Sequence, residues 1–280
     1  MFKDIEVKDH SISQQTFVLR YDKDLHMYYT DPKPALKDLP NYYESEDYIS
    51  HTDSKRSLFD IAYQSVKKIS LIQKHKLLRS FHDEKGSVLD IGAGTGDFIN
   101  YLSKKNWKVS GVEPNPKARL LAQKKGLQLQ ENLKDINSSF ECITMWHVLE
   151  HVYDLENHIK WLKSHLKKNG TLFVAVPNFE AYDASYYNSY WAAFDVPRHL
   201  YHFSQKSVVK IFDKVGLEVV AIKPLKFDAY YVSLLSEKYL SKKINFLRAF
   251  KVATKSNLRA RKSCGYSSQI YVIKHVKNQK

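Results

Sequence analysis

The stretch Val88-LDIGAGTGDF, with the exchange of strand and helix signals that begins there, constrains this chain more than any other feature. Apolar residues run up to Asp90, and Gly92, Gly94 and Gly96 then let the backbone turn tightly and approach a ligand without side-chain obstruction. A helix follows near Asp97. From Ser87 onward, strands are read at Val88-LDI, Lys108-VSGVE, Leu127-QLQ, Cys142-ITMW, Thr171-LFVAV, Glu218-VVAIK and Gln269-IYVIKH. Helices are read near Phe98 to Lys105, Lys117 to Lys125, Val148 to Leu166 and Ser204 to Val215. This alternation predicts an α/β fold, a seven-stranded, mostly parallel sheet with helices on both faces.

Two segments flank or interrupt the pattern. Thr16-FVLRY and His26-MYYT read as a small hairpin or two extended pieces, ended by the turn Asp31-PKP. From Ser54, apolar residues at helical spacing predict one or two helices, with a break near Leu71. Residues 1–84 are thus expected to form an N-terminal hairpin and helical lid region, and 85–280 the α/β domain. Phe227 to Leu240 and Ile244 to Leu258 also read as helical, which makes about 226–262 a helical insertion before the last strand.

Charge singles out the same insertion. From Lys223 to Lys280 there are 14 lysines and arginines against two acids, Asp228 and Glu237, so +12 of the +14 total lies in this part of the chain. The 280 residues suffice for a full core, contain no apolar run of 18, and begin with the polar Met1-FKDIEVKDH. A soluble, cytoplasmic protein without a transmembrane segment is expected. Cys142 and Cys264 are the only cysteines and lack a CxxC partner, which argues against a disulfide framework or thiolate zinc site.

The glycine loop departs from a dinucleotide fingerprint, because its third glycine comes one position early and Asp97 stands where that fingerprint requires glycine. A carboxylate at a helix start repels phosphate, so the expected ligand is neutral or cationic near the loop. Glu113, about 20 residues on, stands where a carboxylate accepts hydrogen bonds from ribose hydroxyls.

Taken together, DIGAGTG, VEPN, Phe140-ECITMWHVLEHV and Lys168-NGTLFVAVPN resemble the class I S-adenosylmethionine-dependent methyltransferases. More narrowly, they resemble the branch that includes the ubiquinone-biosynthesis O-methyltransferases and related bacterial methyltransferases. The resemblance covers roughly Ser87 to Leu217. It implies a Rossmann-like fold and S-adenosyl-L-methionine as cofactor. Asp90, Gly92, Gly94 and Gly96 would cradle the methionine end, Glu113 the ribose, and Pro114 and Asn115 the adenine. Asn132 sits where many relatives place an acid for the adenine amine, and Trp146 and His147 would lie beside the sulfonium. Some relatives carry paired cysteines in the region of Thr16 to Pro34. This chain has none there, so packing of Phe17, Leu19, Tyr28 and Tyr29 would replace the small zinc module that such cysteines suggest.

His147-Val-Leu-Glu150-His151 also fits the H-x-x-E-H pattern of inverted zinc metallopeptidases, and on a helix the three would share one side. A peptidase needs a further acidic ligand, and neither Glu180 nor Glu218 has a supporting pattern. A metal is not the favoured reading. His147, Glu150 and His151 are the candidate ligands for one, and fixing a helix against the strand edge is the expected role of Glu150 and His151.

Trp191-AAFDVPRHLYHFS holds a second histidine cluster, and similar stretches in relatives lie over the active-site mouth. His147, His199 and His202 are the candidate catalytic residues, a histidine serving as base for an acceptor hydroxyl near neutral pH. Ser204 is expected to cap the next helix. Asn41-YYESEDYISHTDSKR reads as a lid that excludes water, with Tyr42, Tyr43, Tyr48, His51 and Arg198 as candidates facing the acceptor.

The expected function is methyl transfer, in line and at oxygen, to a small-molecule or anionic lipid-linked acceptor. The basic segment raises a nucleic-acid methyltransferase as an alternative. Against that reading, the fourth strand is not followed by D/N-P-P-Y, and there is no P-C nucleophile. A non-catalytic cofactor-binding protein is the second alternative.

Overall fold

The computed structural model describes residues 2–43, 58–82, 86–262 and 265–276, leaving aside the side chains of 58–65. Tyr48, His51 and Cys264 lie outside the described residues.

The first three strands, β1 (Ile5–Lys8), β2 (Thr16–Asp22) and β3 (Met27–Asp31), form an antiparallel meander. Phe17, Leu19 and Tyr28 are buried, whereas Tyr29 is 42% exposed. Three of the four residues expected to pack here therefore do so. Helix α1 (Leu58–Arg79) runs unbroken through Leu71, in accord with the lack of glycine or proline in the stretch, and ends on Lys76 and Arg79 beside its negative dipole end.

The main sheet has six strands in the order β5-β4-β6-β7-β10-β9, where β4 is Ser87–Ile91, β5 Lys108–Val112, β6 Phe140–Trp146, β7 Leu166–Pro177, β9 Leu217–Pro224 and β10 Ser268–His275. β4 pairs parallel with β5 and β6, β6 pairs parallel with β7, and β10 runs antiparallel to both of its neighbours. The fold class is the expected one, with six strands in place of seven. The predicted strand at Leu127–Gln130 is reduced to a bridge in which Gln130 alone bonds to β5, through Gly111 O and Glu113 N. Beyond it, exposed Glu131 and Asn132 lead into a short 3-10 turn.

Between the strands lie α2 (Asp97–Ser103), α3 (Pro116–Gln123), α4 (Leu155–His165), α5 (Tyr182–Tyr187) and α6 (Gln205–Asp213). Ser204 caps α6 in a reciprocal capping box with Ser207, as expected. Leu172, Phe173, Val174, Ala175 and Val176 of β7 are all fully buried, as befits a central strand covered on both faces.

A two-residue strand, β8 (Tyr201–His202), pairs with β3 and makes the N-terminal meander a four-stranded sheet. The hairpin is therefore joined to the segment after β7. Tyr28 and Phe179 meet across this junction with ring centroids 4.9 Å apart. The basic insertion forms α7 (Asp228–Ser241) and α8 (Phe246–Arg259), and β10 then returns between β7 and β9. The insertion is docked: Tyr187 donates to Glu237, Ser236 Oγ accepts from Ala192 N, and Asp183 accepts from Trp191, Ser256 and Ser267.

Candidate active site

The carboxyl ends of the parallel strands β4, β5 and β6 bring the expected cofactor residues to one edge of the sheet, the place where open α/β sheets hold ligands. Asp90 is buried near the end of β4 and accepts a 2.5 Å hydrogen bond from Thr144 Oγ1 on β6. Burial pushes its carboxyl up to about 7, against the opposing effects of Thr144 and the Lys74 ammonium.

The glycines that follow differ in purpose. A Cβ on Gly92 would stand 2.5 Å from Val148 Cγ2, so that position is closed by packing, whereas a Cβ on Gly94 would meet nothing within 4 Å. Gly94 has φ +54, the left-handed region that glycine enters without strain, and faces open space where a ligand can approach the backbone. Gly96 forms the left-handed N-cap of α2.

Glu113, just beyond β5, accepts from Gly94 N at 2.8 Å and Asn115 N at 2.9 Å. Those two bonds fix the carboxylate over the loop and leave lone pairs for two hydroxyls. Pro114 is exposed and its carbonyl accepts from Arg119, while the Asn115 side chain caps α3 by accepting from Lys117 N and Ala118 N. Asn132 is exposed at the bridge edge of the sheet, with no side-chain capping bond to the turn it precedes.

Asp97 does not repel an anion in the way its position suggested. Lys67 at 2.7 Å and Lys125 at 2.8 Å pair with it, and together with Thr95 they hold its carboxyl below the usual range despite burial. Asp90 is left as the acid without an ion-pair partner at this end of the loop among the described residues.

Lys74 of α1, which the sequence reading passed over, reaches the same edge. Its Nζ lies 4.3 Å from the centroid of the Trp146 ring, and burial lowers its pKa while Asp90 and Asp228 oppose that shift. Trp146 stacks edge-on against Phe98 at 5.5 Å. A cation already rests against the aromatic face expected beside the sulfonium. Periodicity marked only the apolar positions of α1, so nothing in the sequence flagged Lys74.

The helix expected from Val148 begins at Leu155, with Asp154 as its cap. Glu150 and His151 lie instead in a 3-10 turn, Leu149–His151, and His147 takes φ +58 with its N–H bonded to Ala175 O. The three side chains are therefore gathered by a tight turn and do not share a helix face. His147 Nε2 lies 2.9 Å from Asp228 Oδ2 at the start of α7, and Nδ1 lies 3.4 Å from Glu150 Oε1. Burial would lower the imidazole's pKa, but the two carboxylates outweigh it and raise the value to about 10. The two carboxylates thus favour the imidazolium, the form in which His147 holds a proton between them and offers no lone pair.

Beneath it, Glu150 is fully buried, and apart from the 3.4 Å ion-pair contact with His147 its oxygens have no hydrogen-bond partner among the described residues. One ligand atom from each of Glu150, His151 and His199 lies within 4.8 Å of the others. His199 Nδ1 is 2.9 Å from Ala193 O and His151 Nδ1 is 3.0 Å from Arg198 O, contacts with backbone carbonyls that fix the ring orientations and leave each Nε2 free to face an ion. These three residues could hold a divalent ion. His199 thus replaces His147 in the set named from the sequence. Burial, followed by the nearby His199, lowers the His151 pKa to about 4.

His202 is buried with Nε2 3.0 Å from Thr30 Oγ1, whose own proton goes to His199 O. Its pKa is held well below the usual value by burial and then by His199, so it is a neutral tie between β8 and β3. Arg198, expected to face the acceptor, is buried and saturated by Asp195, Asp9 and the Tyr42 carbonyl. Tyr42 donates to Gln15 on the meander side, whereas Tyr43 Oη lies 3.0 Å from His151 Nδ1 and so reaches the cluster.

A family model described as "Methyltransferase domain" matches residues 48–222. Among curated relatives, the Ubiquinone biosynthesis O-methyltransferase of Idiomarina loihiensis is 27% identical over 59% of this chain and 74% of its own length. The protein of that name from Methylocella silvestris is 25% identical over 46% of this chain and 60% of its own length. Among solved structures, a SAM dependent methyltransferase from Archaeoglobus fulgidus superposes with a TM-score of 0.52 at 16% identity, covering 79% of this chain and 100% of that one, a likeness of fold. With the family model spanning more than half of the chain, and the glycine loop, Asp90 and Glu113 meeting at one sheet edge, the chain belongs to the methyltransferase domain family and is an S-adenosylmethionine-dependent methyltransferase.

Proposed function

We propose that this enzyme methylates a hydroxyl oxygen of a small-molecule or anionic lipid-linked acceptor. The observation that carries the chemistry is the array Asp228–His147–Glu150 at the carboxyl end of β6. With the imidazole protonated, the array holds one positive and two negative charges, so it is able to accept the proton that a hydroxyl loses. The names of the two curated relatives support oxygen as the atom methylated.

S-adenosylmethionine, when bound, supplies a methyl group made electrophilic by the positive sulfur. Gly94 lends its open backbone face, Asp90 a carboxylate, Glu113 lone pairs for hydroxyls, and Trp146 an aromatic wall. Tyr43 and the 3-10 turn at Leu149–His151 close the side nearest the meander. Alignment and exclusion of water then account for most of the work that the protein performs.

The lipid-linked reading draws on α8. Phe246, Leu247, Phe250 and Leu258 are each more than 60% exposed, and Lys251, Lys255 and Arg259 lie among them. An apolar row mixed with cations suits the interface of an anionic membrane. No helix among the described residues is long and apolar enough to cross a membrane, and the site is read as acting from the cytoplasmic side.

The test is to incubate purified protein with methyl-labelled cofactor and cell extract, then to separate small molecules, lipids and RNA. Label is expected in the lipid or small-molecule fraction. Label confined to RNA would replace this reading with nucleic-acid methylation, and cofactor binding with no label in any fraction would favour a binding protein.

A further inference from the structure

A cavity of about 610 Å³ opens beside the cofactor edge, between α1, the end of β9 and the two insertion helices. Lys74, Lys223, Lys226 and Arg261 line it, and its wall contains no acid. Among the described residues, Lys223, Lys226 and Arg261 have no ion-pair partner. Asp228 and Glu237, the only acids from Lys223 to Lys280, are engaged elsewhere, with His147 and with Arg248. The hydroxyls of Tyr230 and Thr254 lie on the same wall, 3.3 Å apart. Lys74 has Asp90 and Asp228 near it, whereas Lys223, Lys226 and Arg261 face one cavity with no carboxylate on its wall, and the focusing of their fields there favours an anion.

Position gives this cavity its meaning. β9 is parallel to β7, since both are antiparallel to β10, so Lys223 and Pro224 sit at the carboxyl edge of the sheet. Lys74 belongs both to the cavity and to the Trp146 wall of the cofactor site. Leu225 and Ile270 supply apolar lining between the cations.

We propose that this cavity binds a phosphate or pyrophosphate group carried by the methyl acceptor, at a distance from the atom that is methylated. The anion engages Lys223, Lys226 and Arg261, and the apolar part of the acceptor lies over Leu225 and Ile270 toward the Trp146 edge. The proposal rests on the methyltransferase reading of the adjoining site. It assigns the acceptor a phosphate ester, either soluble or lipid-linked.

The probe is inorganic pyrophosphate, titrated calorimetrically at low salt into the full chain. Saturable binding is expected, and the triple variant K223Q/K226Q/R261Q should weaken it by more than about tenfold, as expected for the loss of charge-assisted hydrogen bonds. The control K104Q/K105Q/K124Q removes as much charge elsewhere and should leave binding unchanged. Both variants alter exposed side chains, and their thermal midpoints and S-adenosylhomocysteine affinities should match the wild type. Pyrophosphate should also suppress label transfer to the extract without displacing S-adenosylhomocysteine.

The proposal fails if the wild type does not bind pyrophosphate, if the control loses binding as the triple variant does, or if pyrophosphate displaces S-adenosylhomocysteine. Failure of S-adenosylhomocysteine to bind, with pyrophosphate still bound, would sink the cofactor reading and leave the anion site standing. A long-chain alkyl phosphate binding more tightly than pyrophosphate assigns the lipid-linked source, and the reverse order assigns the soluble one.

Discussion

His147 Nε2 stands 2.9 Å from Asp228 Oδ2, which couples the residue after strand β6 of the main sheet to the first residue of an inserted helix. The insertion therefore supplies a carboxylate to the candidate site. Asp228→Asn is expected to lower kcat by about 100-fold, the lower end of the range for a positioned acid–base group, with S-adenosylhomocysteine affinity unchanged. Steady-state kinetics with the acceptor found by the labelling experiment, alongside calorimetry, checks both halves. A loss of cofactor affinity equal to the loss of rate would place Asp228 in the cofactor site instead.

Asp90 sets a pH dependence. Its folded pKa, raised by burial from the ordinary 3.8 to about 7, means that the native chain holds a proton that the unfolded chain has already released between these values. The native state therefore binds more protons there, and its stability falls as pH rises from about 4 to about 7. A cationic cofactor favours the ionised form, so S-adenosylmethionine should bind more tightly at pH 8 than at pH 6. Asp90→Asn should flatten that dependence and raise the thermal midpoint of the ligand-free protein at pH 8. Parallel affinity profiles for variant and wild type would show that another group governs binding.

Arg198 is expected to matter for folding. Its guanidinium, raised above its ordinary pKa by Asp195 and Asp9 despite burial, ties the loop before β8 to the turn after β1. Arg198→Ala leaves two carboxylates without their partner and should cost about 3–5 kcal/mol, the usual penalty for breaking a buried pair. Chemical denaturation measures this. A variant with native stability and impaired acceptor KM would return Arg198 to the substrate.

Glu150, His151 and His199 should bind a divalent ion. Co²⁺ added to purified protein is expected to give visible absorption bands, since two imidazoles and a carboxylate make a low-symmetry site. Glu150→Gln should abolish the bands. Equal spectra for variant and wild type would remove the cluster as a metal site and leave Glu150 as a counter-charge for His147.

The cofactor half of this protein was legible in the sequence because its parts are local. A strand, a glycine loop and a strand-end acid lie within 26 residues, Val88 to Glu113, and backbone conformation at the glycines needs no distant partner. The same holds for the helices of the insertion, whose apolar periodicity located α7 and α8 to within about two residues.

What the sequence could not decide was every relationship carried by contacts across the chain. His147, Glu150 and His151 looked like one helix face, but pairing of β6 with β7 and the bond from His147 N to Ala175 O turn the backbone left-handed there. That turn sends His147 toward Asp228 and buries Glu150 beside His199, residues 81 and 49 positions away. Lys74 and the cations of the insertion share a cavity for the same reason, since only the packing of α1 against the sheet edge brings them together. Local propensity determined where the elements lie; burial of their apolar faces determined which charges meet, and hence which histidine carries a proton, which arginine is structural, and where an anion can bind.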